Sequence, residues 1–274
     1  MRAGGVDYTA GAMSILGHIG AGTLARLGRT ARTAALVWSV AAQALRPKTW
    51  TAPLRNVLAR QILFTGLEAT GFVSLIAVIV GVLVVVQAQY WLMRLGQAAL
   101  IGPILTAVVL RELGPLLTNF VVIARSGTAI STELANMKVH GEIRTLDAMG
   151  IDPFIYLVLP RVLGVAASTF CLTIVFLAVT FIGGFLCMWV IELGDIDMGL
   201  FFGNIIGAVT VTDVFSLLAK SILPGMLTGA ICCDEALSVG EAVTEVPIAA
   251  TRGVMRSVRA LFVMSLLISV MAYL

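Results

Sequence analysis

The sequence predicts an all-α integral membrane protein, with an N-terminal amphipathic helix lying on the membrane and five transmembrane helices after it. Three observations predict this. Of 274 residues, 59% are hydrophobic and 12% charged, whereas a soluble domain averages about 25% charged residues. So few charges cannot cover an aqueous surface. Five stretches come close to the roughly 20 apolar residues that cross about 30 Å of hydrocarbon as a helix. Basic residues also concentrate in every second connection, as five spans require.

The first 63 residues form a segment of their own, with no short apolar run and small-residue cleavage site of the kind that marks a signal peptide. Leu24, Leu27, Ala31, Ala35, Trp38, Ala42 and Leu45 recur at spacings of three and four and make one helical stripe. Arg26, Arg29 and Arg32 fall opposite, and Pro47 closes the pattern. Beside a span, a basic amphipathic helix reads as an element resting on anionic lipid.

Residues 64–274 hold the spans. The first runs over 64–88, with Glu68 near its start. The second runs over 98–124 and contains two adjacent charges. An uncharged third covers 162–191 and reaches back to about 155, the fourth covers 201–231 with Asp213 and Lys220, and the fifth covers 253–274 if Arg256 and Arg259 snorkel to the interface. Eight Lys or Arg against Asp7 alone precede Phe64; the connection after span three has three acids and no base. The N-terminus is therefore expected in the cytoplasm and Leu274 on the far side. Between spans two and three, residues 131–153 are polar with a helical apolar pattern (Leu134, Met137, Ile143, Leu146, Met149). Gly150 and Asp152–Pro153 end that pattern, which reads as a short cytoplasmic helix.

Residues 108–117, VVLRELGPLL, carry the chemistry. A charge at mid-bilayer costs about 2.5–3.5 kcal/mol on insertion scales. Neighbours on a helix point about 100° apart, so Arg111 and Glu112 cannot pair with each other, and each needs its own partner, a polar cavity or a position near the water interface. Pro115 lacks the N–H that would bond the Arg111 carbonyl, leaving an acceptor free and permitting a kink. Two readings stay open: a polar element of a substrate cavity or subunit interface, or an internal salt-bridge network with Glu68, Arg125, Asp213 or Lys220. Asp213 and Lys220 share a helix face but lie roughly 10 Å apart along the axis, so both must look to other helices.

Other features point less sharply. Gly203–Gly207 and Gly225–Gly229 have the spacing that lets helices approach closely. Cys171, Cys187, Cys232 and Cys233 sit in apolar runs without ligand-like spacing and read as small fillers; no metal site is expected with only His18 and His140. The net charge of +3 is small, and nucleic acid is not expected as a partner.

RELGPLLT (Arg111–Thr118), ARSGTAISTELANMKV (Ala124–Val139) and EIRTLDAMGIDPFIYLVLPRVL (Glu142–Leu163) resemble the signature of the MlaE/YrbE family, the permease subunits of bacterial MCE-type lipid transporters. The resemblance implies an ABC permease of the bacterial inner membrane, acting as a homodimer or paralogue pair with a cytoplasmic ATPase and a periplasmic MCE-domain lipid carrier. It implies that residues 131–153 contain the coupling helix, so Glu133, Lys138, Glu142, Arg144, Asp147, Gly150, Asp152 and Pro153 would face the ATPase. It also implies a phospholipid cavity between two permease subunits, near which Arg111 and Glu112 would lie; with Pro115, Arg125 and Glu68 they form the expected polar core.

A partner motor agrees with the lysines. Lys48, Lys138 and Lys220 follow Pro47, Met137 and Ala219, so none completes GxxxxGK[ST]. The chain is expected to be no enzyme and to hold no cofactor, with ATP and magnesium on the ATPase. Two alternatives stand beside this: a secondary transporter using Glu68, Glu112, Asp213 and Lys220 as an ion relay, although no internal repeat is visible, and a non-transporting scaffold. An intramembrane enzyme is disfavoured, because no catalytic constellation gathers at one membrane level.

Overall fold

The computed structural model describes residues 28, 30–46, 50–96, 101–191, 198–240 and 242–274, and its regular elements are helices throughout. Five helices among the described residues are long and apolar enough to cross a membrane.

The first helix, α1, covers residues 30–44. Leu24, Arg26, Leu27, Arg29 and Pro47 lie outside the described residues. The Trp50 indole N–H donates to the Ala44 carbonyl at 2.9 Å and closes the end of the helix. Thr33 and Val40 are buried against the bundle, whereas Trp38 is 77% exposed and Leu45 85%. The predicted apolar stripe therefore faces away from the protein, as a helix lying on lipid requires.

Helix α2, Ala52–Arg94, is 43 residues long, about 64 Å, and exceeds the hydrocarbon thickness. It starts twelve residues before the expected Phe64. Hydropathy marks where charges stop, but Leu, Arg, Ala and Gln are good helix formers, and Pro53 sits in the first turn, where its missing N–H is harmless. Helix α3, Gly102–Val139, continues fifteen residues past the expected end of the second span. Ser131, Leu134 and Ala135, expected in a polar loop, are buried in the bundle. The loop helix proper is α4, Glu142–Ala148. Gly141 and Gly150 bracket it at φ 76°, a left-handed conformation that suits glycine. The Asp152 carboxylate then accepts the Phe154 N–H at 2.9 Å, starting a π-helical turn that leads into α5, Leu159–Ile191.

The expected fourth span is two helices, α6 (Met198–Ala208) and α7 (Val211–Leu237). Thr210 between them is extended. The Asp213 carboxylate accepts from the Thr210 N–H at 2.9 Å and from its hydroxyl at 2.8 Å, so α7 starts afresh there. An aromatic cluster of Phe185, Phe201 and Phe202 holds α6 against α5. The last helix, α8, Val246–Tyr273, begins seven residues before the expected Gly253, with Pro247 in its first turn.

Helices α2 and α5 pack along one another, α7 packs on α5, and α8 on α7, with α3 running among α5, α7 and α8. Close approach depends on glycine in places. A Cβ on Gly229 would come within 2.8 Å of the Val162 Cα, and one on Gly225 within 3.0 Å of the Ala166 Cα. Gly203 and Gly207 face open space, so among the described residues only the second of the two glycine pairs packs helices.

Candidate functional site

The two adjacent charges on α3 occupy a π-helical stretch, Thr106–Leu113, where the Gly114 N–H donates to the Val109 carbonyl five residues back. Space at Gly114 is tight, since a Cβ there would meet Leu177 Cδ2 at 2.8 Å and the Val109 carbonyl oxygen at 3.0 Å. Pro115 follows and is buried. The wide turn aims Arg111 and Glu112 at different partners on α7.

Arg111 Nε lies 2.7 Å from Asp213 Oδ1, and Nη2 donates to Oδ2 at 3.2 Å, a two-point contact. The Tyr273 hydroxyl donates to the same carboxylate at 2.9 Å, and its ring centroid lies 4.7 Å from the Arg111 guanidinium carbon. Asp213 thus ties α3, α7 and α8 together while capping α7. Its oxygens are buried and five donor atoms, on Arg111, Thr210 and Tyr273, reach them, so the charge is well compensated.

Lys220 Nζ donates to Glu112 Oε1 at 2.7 Å. It also donates to the Arg111 carbonyl at 2.7 Å, the acceptor that Pro115 was expected to leave unused. Ser269 on α8 donates to Glu112 Oε1 at 2.8 Å, and Asn119 donates to the Lys220 carbonyl at 3.1 Å. Both α3 charges therefore pair with α7, through two of the four residues named as possible partners. The pairs are not sealed: Lys220 is 1% exposed in its side chain, but Glu112 is 44% exposed. The network closes toward the bundle and opens at its edge.

Arg125 pairs with Glu68 on α2, and its guanidinium carbon lies 5.9 Å from the Phe64 ring centroid. Fourteen residues separate Arg125 from Arg111, about 21 Å of helix. The five residues expected in one polar core therefore divide into two groups at different heights.

At the other end of the bundle, Glu133 and Lys138 hold α3 to its neighbours. Glu133 pairs with the buried Arg161 at 2.8 Å, and Lys138 donates to the Leu237 carbonyl at the end of α7. Glu142, Arg144, Asp147, Gly150 and Asp152 are exposed, and Pro153 is partly buried. The α4 region thus presents a charged outer face. Ile143 and Leu146 pack back on the core, while Met149, expected on that apolar side, is 61% exposed.

Sequence reasoning missed a third group. Asp234 and Glu235, both buried, accept from Arg256; Arg32 of α1 reaches Asp234 at 3.0 Å, and Arg256 also donates to the Thr33 hydroxyl at 3.0 Å. Arg256, expected to snorkel, turns inward because these acids offer it a partner. Two acids ending an apolar helix next to a basic stretch of the following one were the available signal.

Against known proteins, the family described as "Permease MlaE" matches residues 58–271. A probable ABC transporter permease of Synechocystis is 29% identical over 215 residues, 78% of this chain and 81% of that protein. One from Rickettsia typhi is 27% identical over 202 residues, 74% and 77%. The chloroplastic protein TRIGALACTOSYLDIACYLGLYCEROL 1 of Arabidopsis thaliana is 28% identical over 215 residues, 78% of this chain and 61% of that one. The matched residues contain both charge pairs and nearly all of the five candidate spans among the described residues, and on that match the chain belongs to the MlaE permease family, as a multi-pass membrane transporter permease.

Proposed function

We propose that this permease is the membrane subunit of an ATP-driven ABC transporter that moves phospholipid, or a related hydrophobic molecule, between the bacterial inner membrane and a periplasmic MCE-domain protein. The observation that carries the reading is the pair of inter-helix charge contacts, Arg111–Asp213 and Glu112–Lys220, half-open at the bundle edge in a member of the MlaE permease family. Glu112 keeps nearly half of its side chain accessible, open to a ligand or to a second copy. Around it Val108, Leu266 and Val270 are exposed. A second permease copy against this edge would enclose an apolar space with a polar rim, suited to acyl chains and a headgroup.

The N-terminus lies in the cytoplasm in this reading and Leu274 on the periplasmic side, so the charge pairs sit toward the periplasm and α4 toward the ATPase. Glu142, Arg144, Asp147 and the Gly150–Pro153 turn take the push of the ATPase, while Glu133 and Lys138 pass it into α5 and α7 through their contacts. ATP and magnesium bind on the ATPase. An ion relay is less well supported, because Glu68, Glu112 and Asp213 each face a cation and Lys220 faces Glu112.

Glu112→Ala separates transport from scaffolding. The variant should still co-purify with ATPase and MCE protein at unchanged mass, while transfer of labelled phospholipid falls about tenfold or more, the equivalent of one lost charged contact. Unchanged transfer would remove Glu112 from the transport path, and lost assembly would make it a structural brace.

A further inference from the structure

A second opening lies away from the charge pairs, between α1 and the α7–α8 pair, with a volume of about 640 Å³. That is within the roughly 300–1,000 Å³ typical of small-ligand sites. Its floor is apolar, made by Leu227 and Ile231 of α7 and Val263 and Met264 of α8. Thr30, Thr33 and Ala34 of α1 form the other wall. Two arginines, Arg256 and Arg259, border it.

The arginines differ. Arg256 is committed to Asp234, Glu235 and Thr33, contacts that also hold α1 over the groove. Arg259 is exposed and donates only its Nε, to the Met255 carbonyl at 3.1 Å, so its two terminal nitrogens meet no carboxylate among the described residues. A guanidinium with two free terminal nitrogens beside an apolar groove suits an anionic partner.

We infer that this groove binds one anionic membrane phospholipid, with the phosphate on Arg259 and an acyl chain along Leu227, Ile231, Val263 and Met264. The occupant follows from charge and shape together: an apolar floor and a cationic rim whose terminal donors meet no acid among the described residues. Arg256 contributes positive field, but its hydrogen bonds stay with α1 and α7. The inference stands apart from the transport proposal, because the groove lies beside α1 and shares no residue with the Arg111–Glu112 network.

The test uses the full chain in nanodiscs of equal phosphatidylglycerol and phosphatidylcholine, with retained lipid counted by native mass spectrometry after detergent extraction. The wild type should retain phosphatidylglycerol in preference, and Arg259→Ala should lower that retention about tenfold, as loss of a charge-assisted contact implies. Ala34→Trp, an exposed α1 position that fills the groove, should lower it as well, while the melting temperature and the Glu112→Ala transfer defect stay as they were. Equal retention of the two lipids overturns the assignment. So does retention unchanged in both variants, the result expected if the chain's own first residues or a second copy fill the groove.

Discussion

Two adjacent residues, Arg111 and Glu112, are each matched to one of two residues a double turn apart on α7. Lys220 is buried and serves both Glu112 and the Arg111 carbonyl, so Lys220→Met removes two contacts and strands a carboxylate. Breaking a buried pair costs about 3–5 kcal/mol, and the half-exposure of Glu112 puts this one near the lower end. A melting temperature several degrees below wild type in detergent is expected. Exchanging the charges, Glu112→Lys with Lys220→Glu, should recover only part of the loss, since a glutamate at 220 cannot donate to the Arg111 carbonyl. Full recovery would show that the carbonyl contact contributes nothing. The need for partners was legible in the sequence, because adjacent charges on an apolar helix cannot satisfy one another. Which of Glu68, Arg125, Asp213 and Lys220 would pair with which was not, since helix register is set by packing. Asp234 and Glu235 were overlooked because apolar character fades at Ile231, although the helix continues to Leu237.

The sequence pattern located each spanning helix but misplaced its ends. Hydropathy follows the hydrocarbon layer, and helices end where backbone hydrogen bonding ends. The break at Thr210 was hidden because Thr210 and Asp213 lie within an otherwise apolar stretch; a Thr followed three residues later by an acid is nonetheless a start signal. Glycine spacing shows the same limit. Gly229 meets the Val162 backbone whereas Gly203 faces open space, yet both sit in GxxxG pairs. Gly229→Val should therefore destabilise by about 1–3 kcal/mol through overpacking, and Gly203→Val by less than about 0.5 kcal/mol as a surface change. Comparing the two melting curves decides it, and equal shifts would mean α5 and α7 are not packed as described. On α4, Asp147 is exposed, so Asp147→Lys should leave melting unchanged while weakening capture of the ATPase. Unweakened capture would move the docking surface off α4.

At the scale of the molecule, the structure is a bundle with charge networks toward both ends and the Arg125–Glu68 pair between them. One end carries the half-open Arg111–Asp213 and Glu112–Lys220 pairs. The other carries α4, together with Arg161, Asp234, Glu235 and Arg256, which lock α1, α3, α5, α7 and α8 to one another. In the proposed function a push on α4 would reach the far charges through α3, a continuous helix that contains two π-helical stretches, Thr106–Leu113 and Ile123–Gly127.

The most direct measurement follows labelled phospholipid leaving vesicles that contain this permease, with and without the ATPase, under ATP or under a proton gradient, and with an MCE-domain acceptor outside. Transfer that needs both ATPase and ATP, and that drops about tenfold in Glu112→Ala, is the predicted result. Transfer driven by the proton gradient in vesicles without the ATPase would contradict the account.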